Sequence, residues 1–104
     1  MKTIYKFNYD GYRGGLNGVF VEDSDFVQKC LGLIVTEHDM IGKHSEDSFV
    51  INDEVLTEVS NDVKHVEMFE DFKFTNGYNP FNSIRESIEC GEIVLRQGIY
   101  MRKL

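Results

Sequence analysis

A chain of 104 residues and 12.1 kDa is the size of one ordinary domain, residues 1–104, so a multidomain enzyme or a large barrel is excluded. Hydrophobic residues make up 41%, with eight Phe, five Tyr and no Trp, which is enough for a single core. With 11 Lys plus Arg against 18 Asp plus Glu, the net charge of -7 opposes duplex nucleic acid and an anionic membrane surface.

Lys2 to Tyr9 alternates with a period of two, Thr3, Tyr5, Phe7 and Tyr9 forming an aromatic face, and this predicts a strand. The glycine-rich Asp10-Gly11-Tyr12-Arg13-Gly14-Gly15 permits a tight reversal into a second strand over Leu16 to Val21, giving a β-hairpin. Asp23 or Ser24 then caps a short helix carrying Phe26, Val27, Cys30 and Leu31, which ends at Gly32. Leu33-Ile34-Val35 reads as a buried strand leading into a polar loop from Glu37 to Asp47.

Phe49 to Val59 carries one or two further strands around an Asn52-Asp53 turn. Ser60 or Asn61 caps a second helix in which Val63, Val66, Phe69 and Phe72 recur at three-residue steps, with Lys64, Glu67, Glu70 and Asp71 facing water. Thr75 to Pro80 predicts an ordered turn, and Ser83-Ile84-Arg85-Glu86 fits a capping box for a third helix stopped at Gly91. Ile93 to Met101 finishes as a strand interrupted at Gly98. The expected fold is a small α+β domain, a mainly antiparallel sheet with two or three short helices.

Acidic residues crowd between Val21 and Asp62, while the cations lie towards the two ends, Lys2, Lys6 and Arg13 at one and Arg96, Arg102 and Lys103 at the other. Terminal strands paired in the sheet would make one face basic. Cys30 and Cys90 stand without a CxxC partner and read as reduced thiols in a cytoplasmic protein. No run reaches the roughly 20 apolar residues of a membrane span, so no membrane partner is expected.

Three segments could carry chemistry. Gly11-Tyr12-Arg13-Gly14-Gly15 sets a guanidinium among bare backbone amides that can donate to phosphate or carboxylate oxygens. Gly42-Lys43-His44-Ser45-Glu46 resembles half a phosphate-binding loop, but Glu37 stands where the first Gly of the full motif belongs and His44 where a Ser or Thr would hold magnesium. What survives is Lys43 and Ser45 holding a phosphate, with Glu46 accepting from a sugar or base. In Asn76-Gly77-Tyr78-Asn79-Pro80-Phe81, an aromatic ring could stack on a base while Asn79 reads its edge. His38, His44 and His65 form no metal-binding spacing and no nucleophile elbow is present, so no catalytic residue, metal ligand or cofactor is assigned.

The combination Arg13-Gly14-Gly15-Leu16-x-Gly18-x-Phe20-Val21, Gly42-Lys43-His44-Ser45-Glu46 and Gly77-Tyr78-Asn79-Pro80 resembles a pattern in small bacteriophage proteins. By analogy with compact phage anti-defence sponges, the resemblance implies sequestration of a phosphate-containing nucleotide second messenger without turnover, in the cytoplasm of an infected bacterium. Arg13, Gly14, Lys43, His44, Ser45, Glu46, Tyr78 and Asn79 would then be the ligand-binding residues. A homo-oligomer joined through exposed sheet edges is implied as well. The alternative is an acidic interaction protein that inhibits a host defence protein by docking on its basic surface.

Overall fold

The structure, a computed structural model, describes residues 1–11, 14–38 and 46–103, and of residues 11, 14, 37, 38, 46 and 47 it describes the backbone alone. In chain order the elements are β1 (Lys2–Gly11), β2 (Gly14–Asp23), α1 (Ser24–Cys30), β3 (Ile34–His38), β4 (Glu46–Val50), β5 (Leu56–Ser60), α2 (Val63–Asp71), β6 (Asn76–Gly77), α3 (Pro80–Glu89), β7 (Ile93–Arg96) and β8 (Ile99–Arg102). All pairings among them are antiparallel, and the fold is an α+β domain as expected.

β1 and β2 form the long hairpin, in register from Lys2 opposite Asp23 to Gly11 opposite Gly14. With β5 outside β1 and the short β6 outside β2, they make a four-stranded sheet of order β5-β1-β2-β6. The period-two pattern of β1 divides its two faces. Tyr5 and Phe7 join Phe20 of β2 in the larger core cluster, with Tyr9 and Leu16 packed at its margin. Ile4 points the other way and meets Val66 and Phe69 of α2, with Val19 and Val21 beside them. α1, α3 and the hairpins β3–β4 and β7–β8 contribute Val27, Phe81, Ile84, Val35, Phe49 and Ile93 to the larger cluster.

Several details differ from expectation. In α2 only Val66 and Phe69 are buried, while Val63 and Phe72 are exposed. A helix turns about 100° per residue, so each three-residue step slips by about 60° and Val63 and Phe72 end about 180° apart. The α2 cap is Asp62, whose carboxylate accepts from the Lys64 amide at 2.8 Å. α3 is capped by Asn79 and starts at Pro80 rather than being capped by Ser83: the proline ring presets the first helical φ, and the Asn79 side chain accepts from the Phe81 amide at 2.9 Å. β3 continues to His38 and β4 begins at Glu46, so Glu37, His38, Glu46 and Asp47 lie in strands.

Among the described residues, β1 does not pair with β7 or β8. β7 and β8 fold on each other through Gln97 and Gly98, both with positive φ (54° and 78°), the geometry that a tight antiparallel hairpin favours. β1 pairs with β2 and β5 instead, so no basic face arises from joined ends.

Glu22 is the buried charge of the fold, only 5% exposed on the core-facing side of β2. Arg85 of α3 closes on its carboxylate as an ion pair, and the guanidinium carbon lies 4.7 Å from the centre of the Phe26 ring. One arginine thus ties α3 to β2 and covers an aromatic face of α1.

Candidate functional site

Four aromatic rings cluster on the core-facing side of the long hairpin, Phe7 and Tyr9 of β1 with Phe49 of β4 and Tyr78. Phe49 of β4 lies 5.0 Å from Phe7 and 5.2 Å from Tyr9, centre to centre. Tyr78 packs 5.4 Å from Phe7 and stands edge-on to Phe49 at 6.1 Å. The Tyr78 amide donates to the Asn17 carbonyl at 2.8 Å, which fastens the β6–α3 connection to β2.

Two glycines make that connection possible. Gly18 lies opposite Gly77, and a Cβ on Gly18 would fall within the Tyr78 carbonyl group. Gly77 has φ +79°, and its own Cβ would collide with the Asn17 carbonyl oxygen. Close backbone approach and a left-handed turn both require the missing side chain.

β4 runs along the hairpin with Ile51, just past its end, beside Tyr5 in one hollow and Phe49 beside Phe7 and Tyr9. Moving from 51 to 49 therefore advances towards Gly11, and Glu46 continues in that direction. Of the three predicted segments, Tyr78 belongs to the aromatic cluster itself, Gly11 follows Tyr9 by two residues along β1 and Glu46 precedes Phe49 by three along β4, while Tyr78 lies level with Asn17 and Gly18, four residues along β2 from Gly14.

Of the predicted site residues, Arg13, Lys43, His44 and Ser45 lie outside the described residues. Gly14 pairs with Gly11, and Glu46 pairs with His38, the last pair of the β3–β4 ladder before residues 39–45. Tyr78 is half-buried with its ring in the core, and Asn79 is half-buried as the α3 cap. Because the Asn79 Oδ1 accepts the capping bond, its Nδ2 amide is the part available to read a ligand.

Other reactive groups are engaged structurally. His65 Nδ1 lies 2.6 Å from the Ser60 hydroxyl, a contact that sequence reading assigned only as a cap. Both groups are surface-facing, and the Ser60 oxygen also accepts from the Asp62 amide at 3.2 Å, so the pair orders the β5–α2 turn. Burial pushes the Cys30 thiol up to about 12, far from the range in which a thiolate attacks. Cys90 is exposed. Under native conditions at pH 8, iodoacetamide is expected to add one group, at Cys90, and a second only after denaturation; two rapid native additions by mass spectrometry would contradict the burial of Cys30.

Among the described residues, no three His, Cys, Asp or Glu side chains gather to hold a metal, and no helix is long and apolar enough to cross a membrane. Comparison with protein-family models, curated proteins and solved structures finds no match to this chain.

Proposed function

We propose that this chain is a phage-type binding protein that sequesters a phosphate-containing nucleotide second messenger without turnover, at the Gly11–Gly14 end of the long hairpin. The observation supporting this reading is the aromatic cluster of Phe7, Tyr9, Phe49 and Tyr78, which joins the strands leading to the first two ligand-like segments and a residue of the third. In this reading Arg13 and Lys43 supply positive charge for phosphate, Ser45 and loop amides orient it, and Glu46 and the Asn79 amide address sugar or base. Charges within about one Debye length, roughly 8 Å, govern such a site, so the net charge of -7 does not preclude it.

Calorimetry on the full chain with cyclic dinucleotides, cyclic trinucleotides and ADP-ribose derivatives tests the reading. One of these is expected to bind, to be recovered chemically unchanged on heating, and to lose affinity at least about tenfold in Arg13→Ala and Lys43→Ala, or about 1.4 kcal/mol. No heat across the panel, or a ligand recovered in altered form, would overturn it. A homo-oligomer would add its second copy along β5, which ends the four-stranded sheet.

An acidic protein that docks on a host defence protein is a second reading. It is favoured by large apolar side chains left at the surface: Ile34, Val63, Phe72 and Phe74 are each more than half exposed. A host protein captured equally by the parent and by Arg13→Ala and Lys43→Ala would support this reading over the first.

A further inference from the structure

We infer that the surface crossing Leu31 and Gly32 is a docking groove for an extended segment of a protein partner in which apolar side chains are followed by lysine or arginine. Two hollows meet there, since Leu31 and Gly32 line both. The first, about 260 Å³, lies between Leu31 and Ile34 on one side and Ile99, Met101 and Arg102 on the other. The second, about 450 Å³, has Tyr5, Ile51 and Leu56 as an apolar base, with Asp53 and Glu58 among the residues around it.

The apolar half exists because two hairpins present their outward registers side by side. Ile34 stands opposite Val50 in the β3–β4 ladder, and Ile99 and Met101 alternate with the inward-packed Tyr100 of β8. Arg102 joins the hairpins by donating two hydrogen bonds to the Ile34 carbonyl, at 2.9 and 3.2 Å. Ile34, Ile99, Leu31 and Met101 remain 53%, 51%, 42% and 41% exposed around one hollow. Apolar surface gathered in this way is the signature of an interaction site, whereas single exposed apolar residues are ordinary.

Charge selects the occupant. Arg102 is occupied by the Ile34 carbonyl and lies 4.0 Å from Glu92. At the other end, neither Asp53 nor Glu58 has an ion-pair partner among the described residues. A lysine or arginine can lay its methylene stem along the apolar base and bring its charge to these carboxylates. A second copy of this chain, at net charge -7, is disfavoured by the same groups, and so is a nucleotide. The assignment rests on the interaction reading for its protein partner and on nothing at the hairpin end.

The test is a titration of the full-length, ¹⁵N-labelled chain with a blocked peptide of alternating leucine and serine followed by lysines. Amide shifts are expected in residues 31–34, 51–58 and 99–102. Glutamates in place of the lysines, or Asp53→Asn with Glu58→Gln in the protein, are expected to weaken binding at least about tenfold. Both substituted carboxylates are exposed, so the variant should keep the parental melting temperature. Shifts located elsewhere, equal binding of the glutamate peptide, hexylamine binding as tightly as the peptide, or no shifts at about 1 mM peptide would each overturn the groove. A captured host protein whose binding survives both Ile99→Asp and the double carboxylate variant would overturn the groove while leaving the interaction reading standing.

Discussion

Gly18→Val is expected to lower the unfolding free energy by about 3–4 kcal/mol, read as a fall in the urea midpoint at constant slope. The new side chain would occupy the place of the Tyr78 carbonyl group, and backbone cannot rotate aside as a side chain tip can. Relief requires β6 to separate from β2, which breaks the bond from the Tyr78 amide to Asn17 and draws the Tyr78 ring from Phe7 and Phe49. The Asn79 cap of α3 immediately follows, so the start of that helix is disturbed as well. Gly15→Ala is the control within the same strand. Its Cβ would meet the Asn17 Nδ2 atom at 3.1 Å, the end of a movable side chain, and a change within about 0.5 kcal/mol is expected. Equal losses in the two variants would show that backbone contact at Gly18 is not the cause.

Arg85→Ala is expected to cost about 3 kcal/mol, near the low end for breaking a buried pair because the arginine side chain is 48% exposed while that of Glu22 is 5% exposed. The loss arises mainly from what is left behind, a carboxylate in the core without its cation. The paired change Glu22→Leu with Arg85→Met should therefore be milder than Arg85→Ala alone, within about 1 kcal/mol of the parent, since it removes both charges and retains volume. Urea unfolding of the single and double variants gives this comparison directly. A double variant as unstable as the single would mean that the Arg85 guanidinium over the Phe26 ring, and not its pairing with Glu22, holds α3 in place.

The hairpin and the first helix are legible because local signals agree, whereas α2 is legible in its extent but not in its cap or its full buried face. The Thr3, Tyr5, Phe7, Tyr9 alternation states its own face, and Asp23, one of the two caps read from sequence, accepts from the Phe26 amide at 3.2 Å. A capping box at Ser83 would start α3 at Ile84, four residues late, and it competes with the Asn79 cap and Pro80 just upstream, which win. The C-terminal hairpin was read as one interrupted strand, since Gln97 gives no hint that it will adopt positive φ.

For the candidate site, sequence proximity and chemistry nominated the segments, and the aromatic cluster depends on contacts between Phe49 and residues forty positions earlier that no local pattern shows. The motif residues Gly18, Gly77, Tyr78 and Asn79 also have structural work in backbone crossing, core packing and capping. No local pattern marks the groove. Leu31 was counted within an apolar helical stripe, and only the fold reveals that it faces outwards beside Ile34 and Ile99.

The two-stranded β7–β8 unit has a kinetic consequence. Its attachment runs through Ile93 and Tyr100 and the Arg102 bonds to Ile34, with no strand laddered on either outer edge. A lone hairpin is marginal in water, so this corner keeps its shape through Ile93 in the core and Tyr100 against Phe26 of α1, and its opening would cost less than that of the long hairpin. A segment arriving at the groove would span the seam between the β3–β4 and β7–β8 hairpins, and the energy of its arrival would appear partly as slowed opening of the chain's last strands.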